Sequence, residues 1–528
     1  MLNARYSAVD TTVASGWTLD RLTPPSRLFG ANGICAGPDG RLYVAQVSGS
    51  QVSAIDIDSG ALETISPKGG DIVAPDDLVF DPAGNFFATE ITEGRVCMQT
   101  PRGDTRVVYG DMPCANPITF HDGRLFAGEC RVDGRIMELD LNGGAPRVLL
   151  ADVPMPNAMQ VGPDGMLYFP VMGANEIWRV PLAGGAPEVV ASELGVPDAV
   201  KFDARGHIVS TQVASGQVLS IDPQTGERTV LADIAPGLDN LAFIGERLFV
   251  SSISGQVNEI LPGGVVRSLV PDGLNWPLGL ALDAEGVLFV ADGGFTYTLA
   301  PGGALAMAGM LFTPGFPGYT RGVVAAGPGE YLITSANGHV ARWWPARGES
   351  EILAEGFEQL YGIDRTAGGA VFADQATGRV LSLEGTTVTE LAAGLDRPSG
   401  VALHGDTCLV AEEGAGRVIR IGAQVDTVID GLGAPQGIAV RNDTLYIVDV
   451  GNKELLACEL DGNARQTLAT GLPVGAPPGV QPKFLGPIGT MSGPMGPFAD
   501  VVAAPDGALY LSADAEGSVL CLRPSADL

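Results

Sequence analysis

The sequence predicts an all-β protein built as β-propellers, and three observations carry that expectation. A short phrase, made of an apolar strand, an Asp-Gly or similar turn and a second apolar strand, returns about twelve times along the 528 residues. It reads VGPDGMLYFP at Val161–Pro170, LALDAEGVLFVAD at Leu280–Asp292 and VVAAPDGALYLSAD at Val501–Asp514, with weaker copies between. Each copy is followed by a third strand opening on Gly-Arg-Val or Gly-Gln-Val (Gly94–Val96, Gly216–Val218, Gly378–Val380, Gly416–Val418) and a fourth such as Arg147–Leu150 or Arg228–Leu231. A period of roughly 40 residues holding four short strands marks a propeller blade, because one such sheet cannot bury both faces alone and must stack on neighbours around an axis. The 73 Gly and 38 Pro are spread evenly and supply turns, and no helical periodicity of useful length is present.

A ring of blades leaves two unpaired edges unless the last blade borrows a strand from elsewhere. The third strand of the last blade runs into Arg523–Leu528, and Trp17–Leu22 (WTLDRL) stands before the first blade as an orphan fourth strand. A single ring of twelve blades satisfies that pairing, and so does a tandem. With a cut at Pro262–Gly264, Val265–Val270 (VVRSLV) becomes a second orphan strand and both halves acquire the same strand order. Two six-bladed propellers are therefore expected, residues 1–262 and residues 263–528, ahead of one wide ring whose channel would be hard to fill.

Charge narrows the partners. A formal net charge of −30 argues against nucleic acid and against an anionic membrane surface, since both reward Lys and Arg, and it suits cation capture. The opening MLNARYSAVDTTVASGW has no apolar core of signal-peptide length, and no run approaches the ~20 apolar residues of a spanning helix, so a cytoplasmic protein without membrane contact is expected. Seven cysteines with no metal-type spacing read as buried reduced thiols.

In a propeller the first strand of every blade lines the central channel, so the residue just before it faces the axis. In the first half that position reads Asn32, Asp76, Asn116, Asn157, Asp198 and Asp239, all Asn or Asp. Oxygen side chains converging from separate blades are what a hard cation needs, because calcium takes six to eight oxygen ligands in loose geometry. The ends of the second strands add Gln46, Glu90, Glu129 and Gln212 to the same mouth. Asn and Asp are also ordinary turn residues, but the same position in the second half reads Leu278, Arg321, Tyr361, Ser399, Gln436 and Ala499. Those turns manage without Asn or Asp, so a site for Ca2+ or another divalent cation is expected in the first half, on Asn32, Asp76, Glu90, Asn116, Asn157, Asp198 and Asp239.

The phrases PNAMQVGPDGMLYFP, PDDLVFDPAGNFFATE and GLDNLAF resemble those of the gluconolactonase and senescence-marker-protein (regucalcin) family, related to paraoxonase and diisopropylfluorophosphatase. The resemblance implies six-bladed propellers that hold a catalytic divalent ion on the axis by Glu, Asn, Asn and Asp and open lactones or phosphoesters. Carried over, the family's Asn ligands fall on Asn116 and Asn157 and its late Asp on Asp198 or on the Asp239–Asn240 pair. The family's first-blade Glu has no counterpart, since Asn32 stands there, and Glu90 or Glu129 would have to supply its charge.

Three function classes follow. The first is a metal-dependent hydrolase of a lactone or similar ester, with Asp198 or Asp239 activating water. The second is a metal-independent lyase or isomerase in the second propeller, with an acid among Asp292, Asp374, Glu412 and Asp449 as base and Arg321 or Tyr361 stabilising an enolate. Its small, apolar substrate would lie under loops Gly302–Thr320 and Gly471–Phe498, which carry Met310, Phe312, Phe316, Phe484 and Met491 as an apolar lid. The third is a non-enzymatic binding scaffold. His121, His207, His339 and His404 lie in or beside turns and take no catalytic role.

Overall fold

A computed structural model describes Arg5, residues 10–476, Lys483, Gly486, Ile488 and residues 496–525. It is all-β apart from two single-turn 3-10 segments, Met172–Ala174 and Pro345–Arg347, and its strands form twelve sheets. The chain divides into two compact units.

One unit is built on Leu28–Asp272. Its six four-stranded antiparallel sheets open on Ile34–Ala36, Pro75–Phe80, Ala115–His121, Gln160–Val161, Pro197–Phe202 and Leu238–Ile244, and are blades one to six. Each of these innermost strands touches the next, and that of blade six touches that of blade one. The ring is therefore closed with six blades. Its closing seam is a core of Leu28, Ile34, Leu42 and Val44 against Ala242, Phe249, Val257 and Val270.

The second unit takes the described residues before Leu28, residues 273–476 and residues 496–525, while Lys483, Gly486 and Ile488 group with the first. Blades seven to twelve open on Leu280–Leu282, Thr320–Gly327, Leu360–Arg365, Pro398–His404, Pro435–Arg441 and Val501–Ala503, and the strand of blade seven touches that of blade twelve. Thr12–Val13 adds a fifth strand to blade eleven, beside Gln466–Thr470. Trp17–Arg21 is the outer strand of blade twelve, in register from Trp17 opposite Pro524 to Arg21 opposite Leu520. Trp17 and Leu19 pack on Leu509, Leu511, Leu520 and Leu522.

Two six-bladed rings thus stand where two were expected, with a different closure. Val265–Val270 is the fourth strand of blade six, paired from Val257 opposite Val270 to Leu261 opposite Val265, and is no orphan of a second module. The expected boundary at residues 262 and 263 falls inside a hairpin turn, with Gly263 and Gly264 at φ of 82° and 79°. The strand at Trp17–Arg21 closes the second ring, and the first closes on its own consecutive strands.

Local chemistry explains the repeated phrase. In Gly162–Met166 the turn glycine Gly165 sits at φ 77° and the Asp164 carboxylate accepts the Met166 N–H at 3.1 Å, so Asp-Gly ties the first two strands of the blade. All seven cysteines are unpaired, six of them buried.

Candidate functional site

The channel-facing residues of the first ring sit on a backbone irregularity. Register shifts lie between Pro75 and Leu78, Ala115 and Ile118, Pro197 and Val200, and Leu238 and Leu241, so each innermost strand bulges at Asp76, Asn116, Asp198 and Asp239. A bulge re-aims its side chains and strands an N–H outside the ladder. A hydroxyl on the second strand recovers that N–H: Thr89 accepts from Asp77 N at 3.0 Å, Thr211 from Ala199 N at 3.2 Å and Ser251 from Asn240 N at 3.0 Å. The same hydroxyls donate onward to the next blade, Thr89 to Asn116 O at 2.7 Å, Thr211 to Asp239 O and Ser251 to Asn32 O at 2.6 Å. This belt of Thr and Ser fixes the backbone that presents the site residues. Sequence reading missed it, although a Thr or Ser one or two places before the end of the second strand was its visible mark.

Asp76, Asp198 and Asp239 come from blades two, five and six, and they act on one another electrostatically. Burial first, then repulsion from neighbouring carboxylates, pushes each well above the usual carboxylate range: Asp239 and Asp77 act on Asp76, and Asp76 and Asp77 on Asp198. Blades that are not neighbours meet only across the axis. Asn32 Nδ2 donates to Asp239 Oδ2 at 3.1 Å and Asn157 Nδ2 to Asp198 Oδ2 at 3.0 Å. Asn116 is buried, and its Oδ1 has no hydrogen-bond partner among the described residues. One layer deeper, Asp77 is pushed up to about 6 by burial, opposed by Lys201 and by bonds from Leu78 N, Ile118 N and Asn240 Nδ2.

The structure links Asn32, Asp76, Asn157, Asp198 and Asp239 through these bonds and repulsions, while Asn116 and Glu90 each keep one buried side-chain oxygen without a partner among the described residues. Glu90, opposite Arg95 across the hairpin, is fully buried and ion-paired to it at 2.6 Å. Glu129 is paired likewise to Arg135. Gln46 and Gln212 accept from Phe29 N and Gly195 N, each at 2.9 Å. These strand-end side chains latch the blade's own entry loop and the arginine that opens its third strand, which is why the third strands begin Gly-Arg-Val.

The same latch accounts for the acids of the second ring. Asp292 accepts from Asn275 N and Trp276 N, and Asp449 from Gly433 N and Ala434 N. Asp374 is shared between Gln359 N and Arg379, and Glu412 between Asp396 N and Arg417. None is left free as a base. Arg321 and Tyr361 do come together, both buried, with the guanidinium 5.2 Å over the tyrosine ring. The expected lid is different. Leu305–Met310 is the fourth strand of blade seven, Met310 is fully buried, and Phe316 packs edge-on against Trp343 at 5.9 Å. Phe484 and Met491 lie outside the described residues.

Among the described residues no three His, Cys, Asp or Glu side chains form a metal cluster on their own. The first channel mixes amides with carboxylates. Three buried carboxylates that repel one another, beside an amide oxygen with no donor, fit a hard divalent cation by the chemistry of their donors. Asn32 and Asn157 hold Asp239 and Asp198 in place through these amide bonds.

Solved structures similar to this chain include a streptogramin B lyase, at 18% identity and TM-score 0.39 over 52% of this chain and 94% of that one. Virginiamycin B lyase from Staphylococcus aureus aligns at 17% identity and TM-score 0.38 over 52% and 96%. A "putative gluconolactonase" aligns at 19% identity and TM-score 0.39 over 49% and 96%. No curated protein matches the sequence. Residues 9–254, which hold nearly all of the first ring and every oxygen side chain of its channel mouth, match the model of a family described as SMP-30/Gluconolactonase/LRE-like region.

Proposed function

We propose that the first propeller is a divalent-metal-dependent hydrolase of a lactone or a similar ester, working at the axial cluster of Asp76, Asn116, Asn157, Asp198 and Asp239. The observation that carries this reading is the orphaned Asn116 Oδ1 beside three buried carboxylates that raise one another's pKa. Bound there, Ca2+ or another divalent cation supplies Lewis acidity toward a carbonyl oxygen and makes water more acidic. The chain's own groups do the rest. Asn157 holds Oδ2 of Asp198 and leaves the other oxygen to take a proton from the attacking water, as Asn32 does for Asp239.

The test is elemental analysis of the purified protein followed by a panel of lactones with and without chelator. Chelator-sensitive turnover is expected, with Asp198→Asn lowering kcat by about 10²-fold or more, the scale of a lost general base. Turnover indifferent to both chelator and Asp198→Asn would place the chemistry elsewhere.

A further inference from the structure

Arg321 is among the most deeply buried large side chains in the protein, 2% exposed, at the mouth of the second channel. No carboxylate is paired with it. Nη1 donates to Gly496 O at 2.9 Å, while Nε and Nη2 have no partner among the described residues. Burial lowers its pKa, as expected for a guanidinium without a counter-ion. A buried, uncompensated charge is costly unless something completes it.

The two idle atoms are not scattered. Nε and Nη2 form the outer edge of the guanidinium, the two parallel N–H bonds that match the two oxygens of a carboxylate. The Tyr361 ring supports the face of the group at 5.2 Å and is held in turn by Phe498, 5.5 Å between ring centres. The Tyr361 hydroxyl accepts from Gln359 Nε2 at 3.0 Å and keeps its own proton to donate. We infer that the axial mouth of the second propeller is a carboxylate-binding site, with Arg321 Nε and Nη2 as the fork and the Tyr361 hydroxyl as a further donor.

The surroundings select a monoanion. Glu413 lies near enough to raise the Tyr361 pKa, and it is engaged by Gln375 at 3.2 Å, Gln436 at 3.4 Å and Arg397 at 3.1 Å. With Arg397 already matched to Glu413, Arg321 is the charge left to neutralise a ligand, so a monoanion is matched while a dianion such as phosphate would bury one charge unmatched. A small carboxylic acid with an apolar body fits, since Phe498 and the Tyr361 ring lie beside the fork.

The test is titration calorimetry and thermal melting of the full chain, stripped of metal and dialysed, against acetate, propionate and benzoate, with phosphate and sulfate alongside. Removing metal first keeps a carboxylate from binding through a cation in the first channel. A carboxylate is expected to bind and raise Tm, with phosphate and sulfate at least about tenfold weaker. Arg321→Lys keeps the charge but loses the fork, and it should weaken carboxylate binding at least about tenfold, the loss of one charge-assisted bond. Arg321→Leu should abolish binding. No carboxylate binding by the wild type, binding that survives in Arg321→Lys at full strength, or equal affinity for phosphate would each overturn the assignment.

Discussion

The Ser251 hydroxyl donates to the Asn32 carbonyl at 2.6 Å, and this bond ties the sixth blade of the first ring to its first blade beside the axial carboxylates. The Asn32 amide then reaches back to Asp239 at 3.1 Å, so the closing seam and the candidate site share one residue. Ring closure and site geometry are the same structural problem here.

The hydroxyl belt gives the first prediction. Thr89 is fully buried, accepts from Asp77 N and donates to Asn116 O. Thr89→Val keeps the shape and orphans both groups, which should cost about 2–6 kcal/mol at 1–3 for each unsatisfied polar group. Urea unfolding checks it. A loss within about 0.5 kcal/mol, the scatter of ordinary surface changes, would mean that water replaces the hydroxyl.

Closure gives the second. A fragment of residues 28–272 contains all four strands of every blade in its ring and should be a soluble monomer with a cooperative melt. The fragment 1–262 lacks Val265–Val270 and exposes the edge of Val257–Leu261, so it should aggregate. Size-exclusion chromatography of the two decides it, and the reverse behaviour would refute this closure.

Asn116 gives the third, with opposite signs for stability and function. Its buried Oδ1 has no partner among the described residues, so Asn116→Leu should stabilise the metal-free protein by up to about 1–3 kcal/mol, the penalty of an unsatisfied buried polar group. The same variant should lose the rise in Tm that calcium gives the wild type, because an ion bound only to the folded state stabilises it. Melts with and without calcium check both signs, and a destabilised variant that keeps its calcium response would count against Asn116 as a ligand.

The fourth concerns pH. Burial and mutual repulsion raise Asp76, Asp198 and Asp239, so above about pH 4 the folded chain holds more protons than the unfolded one. Stability contributed by these groups therefore falls as pH rises from the unfolded value toward the folded ones. Asp292 and Asp500, each pushed up to about 7 by burial, act in the same direction over roughly pH 4–7. The metal-free protein should melt lower at pH 8 than at pH 5. Asp76→Asn should flatten the slope, and millimolar calcium should offset it by favouring the ionised carboxylates. A slope unchanged in Asp76→Asn would remove the axial cluster as its cause.

Blades were legible because their hairpins depend on local chemistry, as in the Asp164–Gly165 turn, and the axial Asn and Asp were legible because the second ring served as an internal comparison. Closure was not. Val265–Val270 and Trp17–Arg21 are both short outer strands, and Pro262-Gly263-Gly264 was taken as a cut when it is a glycine hairpin turn joining Leu261 to Val265. The partner of Glu90 was missed for a geometric reason. Glu90 stands at the strand end where the sequence puts it, but the cross-strand neighbour that takes its Oε2, Arg95, is set by the hairpin register between the second and third strands, which strand position alone does not give.

The pairing of Trp17–Arg21 with Ser518–Pro524 also sets a timetable. Thr18 meets Arg523, 505 residues later, whereas every blade of the first ring is complete once Val270 has been made. At about 5–20 residues per second of synthesis, Trp17–Arg21 waits roughly 25–100 s for its partner. The first ring has its whole sequence available for much of that interval. The polypeptide is thus ordered so that the ring carrying the axial carboxylates can assemble while the other still lacks its last blade, and one of the first strands made takes its place last.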